Sequence, residues 1–435
     1  VGGVRLLYAL NRRPAIYHLN EGHAAFAGLE RLRHLVEDLG MTFGSAIEII
    51  RASSLFTTHT PVPAGHDTFT EDILRTYIPH YPDRLNISWD DFMGLGRFNK
   101  GDHNEKFSMS VLAAKLSQEM NGVSKIHGRV SREMFSGLYP GYFADELHIG
   151  HVTNGVHFPT WTAGNWKTFY AGKFGNEHIN NQSEQSIWNK IHTVSDAVIW
   201  KQRSKAKLEF LNFLRKKMAA DLERRQENPK VIYETLEGIV DDALYIGFAR
   251  RFATYKRAHL LFTDLDKLSR LVNDKDRPLR FVFAGKAHPN DKPGQDLIKK
   301  IIGISKMPEF IGKIIFMENY DMAIGRQLVS GVDIWMNTPT RPMEASGTSG
   351  EKAVMNGVLN LSVLDGWWCE GYNGANGWAI KPLEEGDEPA QDAHDAAELY
   401  RLLEDEVVPL YYRRDSDGVP RGWVRLVRHS ISTLA

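Results

Sequence analysis

The sequence is short of cysteine, of net charge and of long apolar runs, and each shortage removes a class of protein. A single cysteine, Cys369, excludes an internal disulfide framework and any cysteine-rich zinc module. Lys+Arg 53 against Asp+Glu 54 leave a formal net charge of -1, so no global field draws the chain to nucleic acid or to an anionic membrane. Any anion site must therefore be local. No apolar stretch approaches the roughly 20 residues of a membrane helix. No signal-peptide pattern is read at its start, so a cytoplasmic location is expected. Repeats, low-complexity tracts and long flexible linkers are also missing.

What is present suffices for more than one core. Hydrophobic residues make up 42% and charged residues 25% of the 435 positions. At roughly 100–200 residues per domain, two or three domains are expected. The chain opens Val1-Gly2-Gly3 without an initiator methionine and stops at Ser432-Thr433-Leu434-Ala435 just after an apolar-periodic stretch. Both ends read as cut from something longer.

The second half alternates strand and helix patterns. Leu244–Ala249 reads as a buried strand, followed by a helix from His259 to Val272 with Leu261, Leu265, Leu268 and Val272 on one face. Leu279–Ala284, Lys313–Met317 and Val332–Met336 read as further strands, with helices over Asp296–Ile304 and Met322–Val329 between them. A helix near Glu351–Asn356 and a last strand, Val358–Val363, complete a parallel sheet with right-handed crossovers. The first 150 residues are mixed and more helical. Strands are expected at Ile16–Leu19 and Leu55–Thr58, with an amphipathic helix presenting Phe26, Leu29, Leu32, Leu35 and Leu39. The domain junction is expected near His151–Gly155, with a ligand cleft there. The helix from Trp200 to Gln226 carries Lys201, Arg203, Lys205, Lys207, Arg215, Lys216 and Lys217, and reads as a solvated basic face rather than a polyanion site.

Three constellations carry chemistry. In Glu344-Ala345-Ser346-Gly347-Thr348-Ser349-Gly350-Glu351-Lys352, hydroxyls and free amides gather before a helix, as a phosphate group requires, and Lys352 sits on the first turn. A desolvated lysine amine there can attack an aldehyde cofactor; a plain capped helix start is the alternative. Arg250-Arg251-Phe252-Ala253-Thr254-Tyr255-Lys256-Arg257 sets four cations at a strand end, either as a local anion site or as surface decoration. Thr57-Thr58-His59-Thr60-Pro61 and Thr153-Asn154-Gly155 offer donors to sugar hydroxyls, with Trp161, Trp367 and Trp368 as sugar or ring platforms. Asn20-Glu21-Gly22-His23 lacks metal-ligand spacing, and Asn20 is read as a helix cap. No metal is expected.

The lysine string, followed by Asn356-Gly357, resembles the pyridoxal-phosphate lysine segment of the glycogen, starch and maltodextrin phosphorylases, and Arg251 with Tyr255-Lys256-Arg257 resembles their phosphate-binding segment. Leu19-Asn20, His59-Thr60, Asn121-Gly122-Val123-Ser124-Lys125 with His127-Gly128, and Thr153-Asn154-Gly155 with Trp161 agree in the same order. The form Thr348-Ser349-Gly350-Glu351-Lys352, with Thr58–Gly65, resembles the shorter bacterial and archaeal branch.

The resemblance implies an α/β fold of the GT-B type, two Rossmann-like domains facing a cleft. Residues 1–152 would be the C-terminal portion of the glucan-side domain, and 153–435 the domain carrying pyridoxal 5'-phosphate. It implies that Lys352 holds the cofactor covalently, that Trp161 and Tyr320 border its ring, and that Arg250, Lys256, Thr348 and Ser349 surround its phosphate. Arg251 and Lys256 would hold inorganic phosphate, and His59, Asn154, Glu344, Ser346 and Gly347 the glucosyl unit. The implied catalytic set is Lys352, Lys256, Arg251 and His59. The implied reaction is phosphorolysis of terminal α-1,4-linked glucose from glycogen, starch or maltodextrin to glucose 1-phosphate with retained configuration, in a homodimer when full length. The cofactor's phosphate, not its ring, would take part.

Two departures stand out. Asp321 follows Tyr320 where long members carry a basic residue, with Arg326 a candidate substitute. The family's glycine-rich phosphate-closing loop would precede residue 1, so the isolated chain is expected to be inactive. A sugar-nucleotide-dependent glucan synthase shares the architecture but leaves Lys352 without a task. A degenerate glucan-binding relative would not need the phosphate groups, and aminotransferase-like chemistry lacks an evident aspartate for the pyridine nitrogen.

Overall fold

A computed structural model describes residues 1–383 and 385–435. The chain forms two compact units, Val1–Asn154 with Pro342–Ser346, and Gly155–Arg341 with Gly347–Ala435. The first cut falls two residues beyond the expected one, and five residues expected in the second domain cluster with the first.

The first unit is built on a four-stranded parallel sheet. Its strands are β1 (Tyr17–Asn20) and β2 (Ser54–Thr57), then, after a short antiparallel pair β3 (Thr68–Phe69) and β4 (Phe107–Ser108), β5 (Glu119–Gly122) and β6 (Ile149–His151). The sheet order is β1-β2-β5-β6. The helix Phe26–Arg33 buries Leu29 and Leu32 in one core with Ile50, Phe56, Met120 and Ile149. It does not run on as a regular helix to Leu39. The turn widens over His34–Asp38, where the Asp38 carboxylate accepts from Arg33 at 2.9 Å and lies 2.7 Å from His34 Nδ1.

The second unit carries β7 (Leu244–Ala249), β8 (Leu279–Ala284), β9 (Ile314–Met317), β10 (Ile334–Asn337), β11 (Leu359–Val363) and β12 (Gly377–Ile380). Their order is β12-β11-β10-β7-β8-β9, and every pairing is parallel. All residues of β7, β8, β10 and β11 are buried, including Arg280, Asn337, Asn360 and Ser362, as expected of largely apolar strands covered on both faces. From β7 the chain steps outward to β8 and β9, then returns to place β10 on β7's other side. That reversal makes the carboxyl ends of β7 and β10 a topological switch point, where open α/β sheets bind ligands.

Local capping moves several boundaries. The helix expected over His259–Val272 breaks into a tight turn, Leu260–Phe262, and a helix, Leu265–Val272. Asp264 starts the second piece by accepting the Lys267 N–H at 2.8 Å. The helix expected at Asp296 begins earlier, at Lys292, because Asp291 accepts from Gly294 N–H at 3.0 Å and a proline occupies the first turn. The helix holding Lys352 starts at Thr348, and the sheet gains β12, an edge strand beyond the expected last one.

The long basic helix, Asp196–Arg224, departs furthest from expectation. Arg203 and Lys207 are 1% and 5% exposed, not solvated. Arg203 donates to the carbonyls of Ser330 at 2.6 Å, Val332 at 2.7 Å and Asn356 at 2.8 Å. The Lys207 ammonium donates to Asp333 at 2.7 Å and to the Tyr411 hydroxyl at 2.6 Å, while Asp333 also accepts the Tyr245 N–H at 2.9 Å. Removing one partner of a buried ion pair leaves an uncompensated charge. Lys207→Met is therefore expected to lower the unfolding free energy by about 3 kcal/mol, read from urea denaturation beside the exposed-site control Lys201→Met.

Candidate functional site

In the second unit, the residues of interest sit on the segments leaving β7 and β10. After β10 the chain enters the helix Thr348–Val354 through Gly347, whose φ of +94° is left-handed and suits glycine. The Ser349 hydroxyl accepts the Trp335 indole N–H at 3.0 Å. One turn on, the Lys352 ammonium lies 4.1 Å from the centre of the Trp161 ring. Burial holds the Lys352 pKa below the usual lysine value, with Glu351 opposing.

Trp161 and Lys352 are held to one another by a single amide. Asn356 donates to the Trp161 and Lys352 carbonyls, both at 2.9 Å, and accepts the Ala163 N–H at 2.7 Å. Beside Lys352, Glu351 is buried with neither carboxyl oxygen hydrogen-bonded among the described residues. Burial pushes it up to about 8, so a mostly neutral acid flanks the lysine at neutral pH. Tyr320 packs against the same apolar cluster as Trp161. Asp321 caps the helix Met322–Gly331 by accepting the Ile324 N–H at 2.8 Å, so its charge faces that helix's N-terminal amides. Arg326 is exposed.

After β7, Arg250 and Arg251 lead into the turn Thr254–Lys256. Arg251 is exposed and Lys256 buried. Of the four cations expected to form an anion site, Arg257 is committed to structure. It is buried with φ +48°, donating to the carbonyls of Thr338 at 3.0 Å and Pro339 at 2.6 Å and pairing with Asp392 and Asp395. With the Thr340 N–H on the Tyr255 carbonyl at 2.7 Å, these bonds strap the cationic segment to the end of β10. The loop after β8 runs so close that a Cβ on Gly285 would meet the Arg250 carbonyl at 2.0 Å.

The first unit holds His59, Asn154, Glu344 and Ser346. Asn154 donates to the Ser346 hydroxyl at 3.2 Å, and Ser124 donates to the Ala345 carbonyl at 2.7 Å. Glu344 and Ser346 are buried. The His59 backbone N–H donates to the Glu21 carboxylate, and its Nε2 lies 3.1 Å from Asn20 Oδ1. Burial lowers the His59 pKa, which favours the neutral ring. His127 accepts the Val123 N–H on Nδ1 at 3.1 Å, so its proton is on Nε2, which is buried with no hydrogen-bond partner among the described residues.

Several expectations are corrected. Asn20 caps no helix; its side chain meets His59. Trp367 and Trp368, at 7% and 1% exposure, pack with Val354 in a small core and offer no platform. No role for Glu21, His127, Glu351 or the stapling amide of Asn356 is legible in the sequence, although the last three fall within the segments that resemble the family. In the sequence, Asn20-Glu21-Gly22-His23 reads as an unsupported metal pattern, with Asn20 a helix cap and part of the family resemblance. Among the described residues no group of three or more His, Cys, Asp or Glu can hold a metal ion.

Two α/β units, each built on a parallel sheet, are the architecture of the GT-B type. The chain belongs to the carbohydrate phosphorylase family, whose model matches residues 7–372. It is 43% identical over 441 residues to maltodextrin phosphorylase from Thermococcus litoralis, covering 100% of this chain and 50% of that protein. Against glycogen phosphorylase from Mycobacterium tuberculosis it is 40% identical over 447 residues, covering 100% and 51%. Glycogen phosphorylase from Aquifex aeolicus is 38% identical, with 100% and 62% covered. The chain thus spans half to about three-fifths of the length of these relatives.

Asn356→Ala leaves an N–H and two carbonyls of the Trp161–Lys352 staple without partners. It is expected to cost about 2–3 kcal/mol in urea unfolding, more than removal of one ordinary hydrogen bond.

Proposed function

We propose that this chain forms the glucosyl- and phosphate-handling part of an α-glucan phosphorylase, which releases terminal α-1,4-linked glucose as glucose 1-phosphate with retained configuration. The observation that supports it most is a desolvated lysine amine on the segment after β10 and a cationic segment after β7, tied together at one switch point.

The residues fit pyridoxal 5'-phosphate. An amine whose pKa burial lowers is more readily available for covalent attachment to an aldehyde, and the aromatic wall of Trp161 beside it suits a flat ring. Tyr320 would border the ring from the same cluster, and Arg250, Lys256, Thr348 and Ser349 would take the cofactor's phosphate. When bound, the cofactor supplies a phosphate group that exchanges a proton with the substrate phosphate.

The chain's own residues supply the rest. Arg251 with Lys256 would hold inorganic phosphate, offsetting the repulsion between two anions brought close together. His59, its ring kept neutral by burial and in contact with Asn20, would bind the glucosyl unit with Asn154, Glu344, Ser346 and Gly347. The first unit is then the glucan side and the second the cofactor side. No carboxylate pair is required, unlike in a hydrolase. A cytoplasmic homodimer belongs to the same reading; among the described residues no helix is long and apolar enough to cross a membrane.

The test uses the natural full-length protein, reconstituted with pyridoxal phosphate and given maltodextrin and phosphate. Glucose 1-phosphate is expected from the parent and none from Lys352→Ala. Arg251→Ala is expected to raise the KM for phosphate by about tenfold or more, since a charge-assisted contact is worth roughly 1.5–3 kcal/mol. Bound cofactor with no product from any linear or branched glucan would sink the proposal.

A further inference from the structure

Glu21 occupies a costly position that the proposed chemistry has not used. It follows β1 with φ +67° and ψ 164°, a backbone conformation that side-chain-bearing residues rarely adopt and that persists where surrounding structure enforces it. Two contacts enforce it. The Glu21 N–H donates to the Thr57 carbonyl at 2.9 Å, and Gly22 packs so tightly that a Cβ there would meet Ser110 at 2.6 Å. The twist turns the Glu21 side chain under the end of β2, where its carboxylate accepts the His59 N–H and lies 3.5 Å from the Thr58 hydroxyl.

No cation stands beside this carboxylate among the described residues. His66 Nδ1 is 3.9 Å away, but its Nε2 lies 2.9 Å from the Thr60 carbonyl, which can only accept. Nε2 therefore carries the proton, and Nδ1 of the neutral ring accepts from the Ser110 hydroxyl at 2.7 Å. Burial lowers the pKa of His59, His66 and His127, so none of these rings is a ready counter-ion. His18 and His23 bear on His59, and Asp67 on His66.

We infer that Glu21 is a positioning residue for sugar binding. With Asn20 it forms a two-pronged holder, Asn20 fixing the His59 imidazole and Glu21 the His59 backbone, so that the charge on Glu21 sets how firmly the glucosyl contact is made. This rests on the reading that His59 meets the glucosyl unit. Burial pushes the Glu21 carboxyl up to about 7. Its ionised form accepts the His59 N–H more strongly, so sugar affinity should fall as pH falls through about 7.

The probe is α-D-glucose, a neutral ligand that adds no titration of its own. Its inhibition constant is measured on the full-length, cofactor-loaded enzyme from pH 6 to 8 for the parent, Glu21→Gln and Glu21→Asp. Glu21→Gln keeps the volume and loses the charge. It should weaken glucose about five- to tenfold at pH 8, change kcat less than about twofold, and flatten the pH dependence seen in the parent. Glu21→Asp, which restores the charge, should recover part of the affinity and the slope. His18, His23 and Asp67 are common to all three proteins, so the difference between them isolates residue 21. A Glu21→Gln enzyme with the parent's inhibition constant and pH slope overturns the inference. If Glu21→Gln lowers kcat and glucose affinity together without changing the slope, its effect is structural and the inference is equally overturned. Phosphorolysis by the parent is measured first; its absence defeats the phosphorylase reading itself, a separate result.

Discussion

Four backbone carbonyls at two helix ends in the second unit must be satisfied away from water, and one guanidinium does it. Ser330, Gly331 and Val332 close the helix Met322–Gly331, and Asn356 follows the lysine helix; all four accept from Arg203. A buried carbonyl without a donor costs roughly 1–3 kcal/mol. The two helices therefore end where a planar, five-donor group can reach them both. Their positions fix much else. Tyr320 precedes one helix, Lys352 lies on the other, and the Asn356 amide carries the same constraint on to Trp161.

The surroundings of the two groups of candidate site residues handle polar burial differently. The second relies on charge: cations bond to carbonyls and to Asp333, Asp392 and Asp395, while the exposed Arg251 faces solvent. The first, around His59, is built from groups that burial drives toward neutrality, with the histidines lowered and Glu21 raised. Neutral donors and acceptors suit sugar hydroxyls, and fixed cations suit phosphate, so the contrast in local electrostatics parallels the two ligands of the proposed reaction.

Much of the second sheet was legible because strands buried on both faces are largely apolar, and Leu244–Ala249 and Leu279–Ala284, the latter broken only by Arg280, need no further information. Boundaries slipped where one side chain decides the outcome, as Asp264 and Asp291 do by capping. The edge strand β12 was missed because it is four residues long and begins with glycine. Arg203 and Lys207 were misread since helical charge normally faces water, and only the tertiary structure supplies their carbonyl and Asp333 partners. At the candidate site, Lys352 stood out within a dense local string. Glu21 did not, because its meaning depends on His59, 38 positions away, and on a backbone twist that no residue preference announces.

Arg251 and Arg257, six residues apart, have opposite relations to solvent. Dissolved ions screen an exposed guanidinium within roughly 8–10 Å at ordinary ionic strength but barely reach one enclosed by carbonyls and carboxylates. Raising ionic strength should thus blunt the segment's attraction for anions while leaving its shape intact. Under the proposed function, affinity for phosphate and rigidity of the segment that would hold it rest on different arginines, and the medium can adjust one without disturbing the other.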